Sequence, residues 1–285
     1  MDFTSEITAF TSIFKFQTIK ISGGTFRYLL GGEENKQSIV LLNGGTNCSE
    51  MWFKYFLDLS KNYKVLIFDY SQDFKTNNSQ VIAMNELFTK LGLSTPFLIG
   101  ASFGGFIAEI YTSKFPSQVG GLILLSTAAL TDYTKKSLKL KKLLAPLLLL
   151  YMKHCNYDKL KASVIKGSMK YVKNESDEIK KYTFDMFSYI FKDYTREKDI
   201  HVTSLLADIF NTNSVTKDTF SHLKDKILLM LPKDDYFSPA VQEDLIKTMN
   251  EPKIKYVNGG HIATVLYVEE YLKEIRSFLE DLEEK

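Results

Sequence analysis

The sequence predicts an α/β fold, with a mostly parallel sheet covered by helices on both faces. The first observation behind this is a set of short, almost wholly apolar segments such as Ser38 to Leu42, Val65 to Phe68 and Pro96 to Ile99. The second is the helical text that alternates with them. Strands buried on both faces read as continuous apolar runs, and parallel neighbours need a crossover that is usually a helix. The third is a break in the pattern. From about Leu130 to His222 no strand is evident, and the lysine-, leucine- and tyrosine-rich text reads as a helical insertion.

Each element follows from its residues. Phe14 to Ile21 and Thr25 to Leu30 read as two strands around the Gly23-Gly24 turn, and Ser38 to Leu42 ends at Asn43-Gly44-Gly45. Ser49 to Ser60 places Trp52, Phe53, Phe56 and Leu59 at helical spacing. After the strand Val65 to Phe68 and a polar loop, a helix runs from about Ser79 to Leu91, with Gly92 suited to its C-terminal cap. Pro96 to Ile99 is a strand, Phe106 to Phe115 a helix and Val119 to Leu125 a further strand. The alternation returns after the insertion: strand Ile227 to Leu231, helix Pro239 to Met249, strand Lys253 to Val257 and a last helix from Val265 to Leu282. That makes eight strands, with a core of residues 1–129 and 223–285 and an insertion of 130–222.

Charge and cysteine content narrow the partners. The net charge of +2 sets up no strong field and argues against nucleic acid. Lys135, Lys136, Lys139, Lys141 and Lys142 cluster locally; such a run reads first as the solvated face of a helix, and second as a surface approaching a membrane or an anionic substrate. Cys48 and Cys155 do not make a disulfide framework, and no Cys/His or His/carboxylate spacing suggests a metal site, so no cofactor or metal is expected. The start of the chain lacks the basic and apolar parts of a signal peptide. The longest apolar stretch, Leu143 to Met152, is too short to span a bilayer, and Pro146 is expected to interrupt it. A reducing, cytoplasmic setting is the default expectation; nothing in the sequence sets an oligomeric state.

The chemistry points to Gly100-Ala101-Ser102-Phe103-Gly104. A nucleophile held at a sharp strand-to-helix turn needs small neighbours, because the backbone is strained and side chains two positions away would collide. The turn follows an apolar strand and precedes a helix, as such a motif requires. Serine at neutral pH needs a general base, and the base needs a carboxylate to orient it. Of the four histidines, His154, His201 and His222 lie in or beside the insertion, whereas His261 follows the last predicted strand in Asn258-Gly259-Gly260-His261. A loop there stands at the same sheet edge as Ser102. The acid is expected between them in chain order, and Asp234 and Asp235 adjoin after the strand Ile227 to Leu231; spacing leaves both open, and either also serves as a cap for the next helix.

With these motifs the chain resembles the α/β-hydrolase superfamily, in its esterase, lipase and peroxidase-like branch with a helical cap. The resemblance covers nearly the whole chain outside the insertion and implies a mostly parallel eight-stranded sheet with helices on both faces. Asp235 stands four before Pro239, as in the family's Gly-x-x-Asp-x-x-x-Pro, with Pro232 where the glycine would be, and Gly259-Gly260-His261 matches its Gly-Gly-His. By the same resemblance the amides of Gly45 and Phe103 form the oxyanion hole, in a loop where Asn43 replaces the family's usual histidine. The loop Asp69-Tyr70-Ser71-Gln72-Asp73 lacks the glycines the family often has there. The elbow also resembles that of maspardin-like proteins, whose hydrolytic role is uncertain. The insertion, by position, would be a helical cap, with Leu143, Leu144, Leu147, Leu148 and Leu150 packing it onto the core or lining an apolar acyl pocket.

The implied activity is two-step acyl transfer on a small, apolar ester by Ser102, His261 and Asp235. A C–C hydrolase, peroxidase or acyltransferase on the same three residues is the first rival. A non-catalytic binding or adaptor protein is the second.

Overall fold

The computed structural model describes residues 2–283. Eight strands form one sheet: β1 Gln17–Ile21, β2 Gly24–Gly31, β3 Ser38–Leu42, β4 Lys64–Phe68, β5 Phe97–Ala101, β6 Gly121–Leu125, β7 Ile227–Asp234 and β8 Lys253–Gly260. Their order is β1-β2-β4-β3-β5-β6-β7-β8. β2 runs antiparallel to both neighbours, and the five pairs from β4–β3 to β7–β8 are parallel.

The strand interiors alternate between two cores, as a period of two requires. Leu42 and Phe68 face one core together with Val81 and Met84 of α3 (Asn77–Lys90), Phe106 and Ile107 of α4 (Phe103–Lys114) and Val241 of α10 (Pro239–Thr248). Leu41 and Ile67 face the other, with Phe3 and Ile7 of α1 (Phe3–Ile13), Phe56 of α2 (Phe53–Leu59) and Tyr271 and Ile275 of α12 (Val268–Glu283). Between β6 and β7 lie α5 (Asp132–Ser137), α6 (Lys139–His154), α7 (Tyr157–Ser168), α8 (Asp177–Lys192) and α9 (Arg196–Asp208), with short 3-10 turns and no strand among the described residues.

Several elements differ from the sequence expectation. No element was expected before Phe14, yet α1 lies there. Its Phe3, Ile7 and Phe10 are buried on one helical face, and Tyr182 of α8 donates to Glu6 at 3.0 Å. Strand β1 starts at Gln17 rather than Phe14, because Phe14 caps α1 and stacks on Phe10. The helix expected over Ser49 to Ser60 opens as a 3-10 turn, Ser49–Trp52, before α2. The last helix is divided: α11 (Ala263–Leu266) and α12 flank Tyr267. Pro146 does not end α6. It lies on an exposed stretch, so the carbonyl that its missing N–H leaves unpaired within the helix is not shut away from solvent. Strands β7 and β8 also run past Leu231 and Val257, pairing as far as Asp234 with Gly260 across an irregularity at Pro232.

Candidate active site

Ser102 stands between β5 and α4 with φ 52° and ψ −116°. That left-handed backbone is costly for a serine, and close packing behind it holds it. A side chain at Gly104 would place its first carbon 2.2 Å from the carbonyl oxygen of Leu42, and one at Gly100 would meet the carbonyl of Gly104 at 2.4 Å. The turn is also pinned from beneath: the Ser102 N–H donates to the Leu125 carbonyl at 2.9 Å, and Thr127 Oγ1 donates to the Ser102 carbonyl at 2.7 Å. The helix after it starts at Phe103, three residues earlier than expected. The Phe103 N–H therefore belongs to the first turn, where amides have no partner within the helix and carry the positive end of its dipole.

His261 follows β8 directly. Its Nε2 lies 2.9 Å from Ser102 Oγ, and its Nδ1 lies 2.7 Å from Asp235 Oδ1. The Asp235 side chain is 1% exposed, and its Oδ1 also accepts the Phe237 N–H at 3.4 Å. Asp234 is exposed, in the last position of β7, and does not meet His261. Asp234 closes the strand, whereas Asp235 stands one residue beyond it, and it is Asp235 that reaches the imidazole. The rings of Tyr236 and Phe237 stand edge-on to the imidazole at 5.6 and 5.7 Å. His201, by contrast, is buried against Gln80, and burial lowers its pKa, which keeps it neutral at pH 7.

The loop after β3 is held by a side-chain network. Asn43 Nδ2 lies within reach of the Phe68 carbonyl at 2.8 Å, Ser49 Oγ at 3.1 Å and Asn47 Oδ1 at 3.3 Å. Asn47 Oδ1 accepts the Tyr70 N–H at 2.7 Å, and the Tyr70 hydroxyl donates to the Asn43 carbonyl at 2.8 Å. Asp69 accepts from both the N–H and the hydroxyl of Ser49, and pairs with Arg27 and Lys198. These bonds tie the Asn43 loop to the Asp69 loop, which has no glycine to shape it. A buried thiol, Cys48, sits on the same loop; burial, with Glu50 and Asp69 nearby, pushes its pKa well up and leaves it protonated. A thiol held protonated in this way is a poor nucleophile.

Two cavities meet at Gly45, Ser102 and His261. One, of about 150 Å³, is walled by Cys48, Trp52, Met186, Phe187, Ile190 and Val265. The other, of about 530 Å³, is walled by Phe106, Leu144, Leu148, Leu206, Phe210 and Tyr236. Both walls are predominantly apolar, and α6, α8 and α9 supply much of them. Of this set, only Leu144 and Leu148 are expected from the sequence as pocket-lining residues. Trp52 and Phe187 carry no local signal beyond helical spacing, because their place at the cavity depends on how the insertion packs.

The comparisons with known proteins agree with this architecture. Residues 37–153 match the family model described as alpha/beta hydrolase fold, a span that includes Ser102 and ends before Asp235 and His261. Over 132 residues, the chain is 27% identical to the proline iminopeptidase PfmaB of Pestalotiopsis fici, covering 42% of this chain and 47% of that protein. Over 127 residues it is 32% identical to the human 1-acylglycerol-3-phosphate O-acyltransferase ABHD5, covering 39% of this chain and 36% of that protein. The alignments thus span less than half the length of these relatives. Among solved structures, a thermophilic esterase from Thermogutta terrifontis superposes with a TM-score of 0.74 at 17% identity, over 93% of this chain and 98% of the esterase. No helix among the described residues is long and apolar enough to cross a membrane. Sheet order, two-faced packing and the matched family model together make this chain a protein of the alpha/beta hydrolase fold.

Proposed function

We propose that this chain is a serine hydrolase that cleaves an apolar carboxylic ester by two-step acyl transfer. The observation that carries the reading is the continuous chain of contacts from Ser102 Oγ to His261 Nε2 at 2.9 Å and from His261 Nδ1 to Asp235 Oδ1 at 2.7 Å. His261 takes the Ser102 proton as the hydroxyl attacks the carbonyl carbon. Asp235 orients the imidazole and stabilises its charged form. The amides of Gly45 and Phe103 receive the oxyanion, each such donor being worth about 3 kcal/mol. His261 then protonates the leaving alcohol, and water, activated by the same base, releases the acid.

The surroundings favour an ester over a peptide N-terminus. Among the described residues neither cavity is lined by a carboxylate able to hold a free amine, and the nearby Asp235 is engaged by His261. Segment 130–222 is read as the cap, since its helices wall both cavities. The likeness to an acyltransferase favours a second reading, in which an alcohol rather than water takes the acyl group. Turnover of a p-nitrophenyl acylate by purified protein tests the hydrolase. Ser102→Ala is expected to abolish it, and unchanged turnover would remove Ser102 as nucleophile. Product analysis with glycerol present separates transfer from hydrolysis.

A further inference from the structure

The outer side of α6 is unusually apolar for a surface. Leu140, Leu143, Leu147, Leu150 and Tyr151 are 56–71% exposed, and Leu144 and Leu148 are 46–47% exposed. Met152 is the one buried residue of the helix. Positions 140, 143, 147, 150 and 151 follow the three- and four-residue spacing of one helical stripe. Isolated exposed leucines are ordinary, but a contiguous stripe of this kind marks a surface that something covers.

The charges identify what covers it. Lys135, Lys136, Lys139, Lys141, Lys142 and Lys153 lie on or next to the helix, and no acidic residue occurs between Asp132 and Asp158. Lys136, Lys139, Lys142 and Lys153 form no ion pair among the described residues. A second copy of the chain meeting this face across a two-fold axis would bring the cations against one another. An anionic lipid surface offers the complement to both features at once: acyl chains for the leucines and headgroup charge for the lysines. The helix has 16 residues, about 24 Å, too short to cross a bilayer and suited to lying in its plane.

We propose that α6 docks this protein on an anionic membrane surface, lying in the interface with its leucine stripe inserted. The placement has a consequence for the cavity. Leu144 and Leu148, on the flank of the stripe, line the larger cavity that reaches Ser102. Docking sets that wall against the lipid, where an apolar ligand is concentrated. The proposal does not depend on catalysis, and Ser102→Ala is expected to bind as the unaltered protein does.

Vesicle flotation tests it, with phosphatidylcholine alone and with phosphatidylcholine mixed with phosphatidylglycerol. The protein is expected to float with the mixed vesicles, to bind phosphatidylcholine alone weakly, and to dissociate as salt is raised. Replacing Leu143 and Leu147 together by Asp is expected to weaken binding by about tenfold or more, and Lys139→Gln with Lys142→Gln to do the same on the anionic vesicles only. These exposed positions leave the melting temperature unchanged, which checks that the variants fold. Failure of the unaltered protein to bind anionic vesicles would overturn the proposal, as would equal binding by the leucine variant. A protein that does not bind vesicles but dissociates from oligomer to monomer in the leucine variant would show a second copy as the occupant instead.

Discussion

The side-chain amide of Asn43 donates to the main-chain carbonyl of Phe68 at 2.8 Å, joining the ends of two parallel neighbours, β3 and β4. Through this contact and the Asn47–Tyr70 pair, the loop carrying Gly44 and Gly45 is fastened to the loop carrying Asp69. Asn43 thus does structural work at the position where the resembled family usually has histidine. Asn43→Ala leaves the buried Phe68 carbonyl unpaired, at a cost of about 1–3 kcal/mol. It is expected to lower the melting temperature and, by loosening Gly45, to reduce kcat more than it raises KM. Thermal unfolding and steady-state kinetics on one ester read both effects.

The two adjacent aspartates are expected to behave very differently. Asp235→Asn leaves the His261 contact in place but favours the wrong tautomer, and kcat is expected to fall by about 10³- to 10⁴-fold. Asp234→Asn alters an exposed carboxylate away from the imidazole, and its effect is expected to stay within about twofold. The ratio of the two kcat values, measured side by side, decides which residue orients the base.

The unequal cavities are expected to set a chain-length preference. Ala207 lines the larger one. Ala207→Phe fills part of that space, and kcat/KM for a p-nitrophenyl octanoate is expected to drop by about tenfold more than for the acetate, since each lost buried methylene is worth about 0.8 kcal/mol. Equal losses for both esters would place the acyl chain elsewhere.

Glu109 carries a pH-dependent cost. It is fully buried on α4, its Oε2 accepts the Leu130 N–H at 2.7 Å, and Oε1 has no partner among the described residues. Burial pushes its pKa well above the usual carboxylate range, so the folded protein holds a proton that the unfolded chain releases. Stability therefore falls as pH rises from the unfolded pKa through the folded one, and the cost is absent below both. Glu109→Gln removes the titration. The difference in melting temperature, Gln minus Glu, is expected to grow from acid to neutral pH. A constant difference would contradict the assignment.

The strands were legible because burial on both faces writes them as unbroken apolar runs; Ser38–Leu42 and Gly121–Leu125 are buried at every position. The Ser102 turn was legible because its glycines answer a steric demand. The N-terminal helix was not read, although Phe3, Ile7 and Phe10 carry the spacing, because polar residues dominate the text between them. Asp234 and Asp235 could not be told apart by spacing, because their difference arises from how far β7 continues past Leu231. The cavity walls were least legible of all. Trp52 and Phe187 are far apart in sequence and share a cavity wall only through the packing of the insertion helices on the sheet.

The proposed chemistry requires Ser102 to be a nucleophile activated by His261. Its most direct test is labelling of the native protein with a fluorophosphonate, followed by peptide mapping. One adduct is expected, on Ser102, lost in Ser102→Ala and strongly slowed in His261→Ala. Absence of labelling in the folded protein, or an adduct that survives Ser102→Ala, would contradict it.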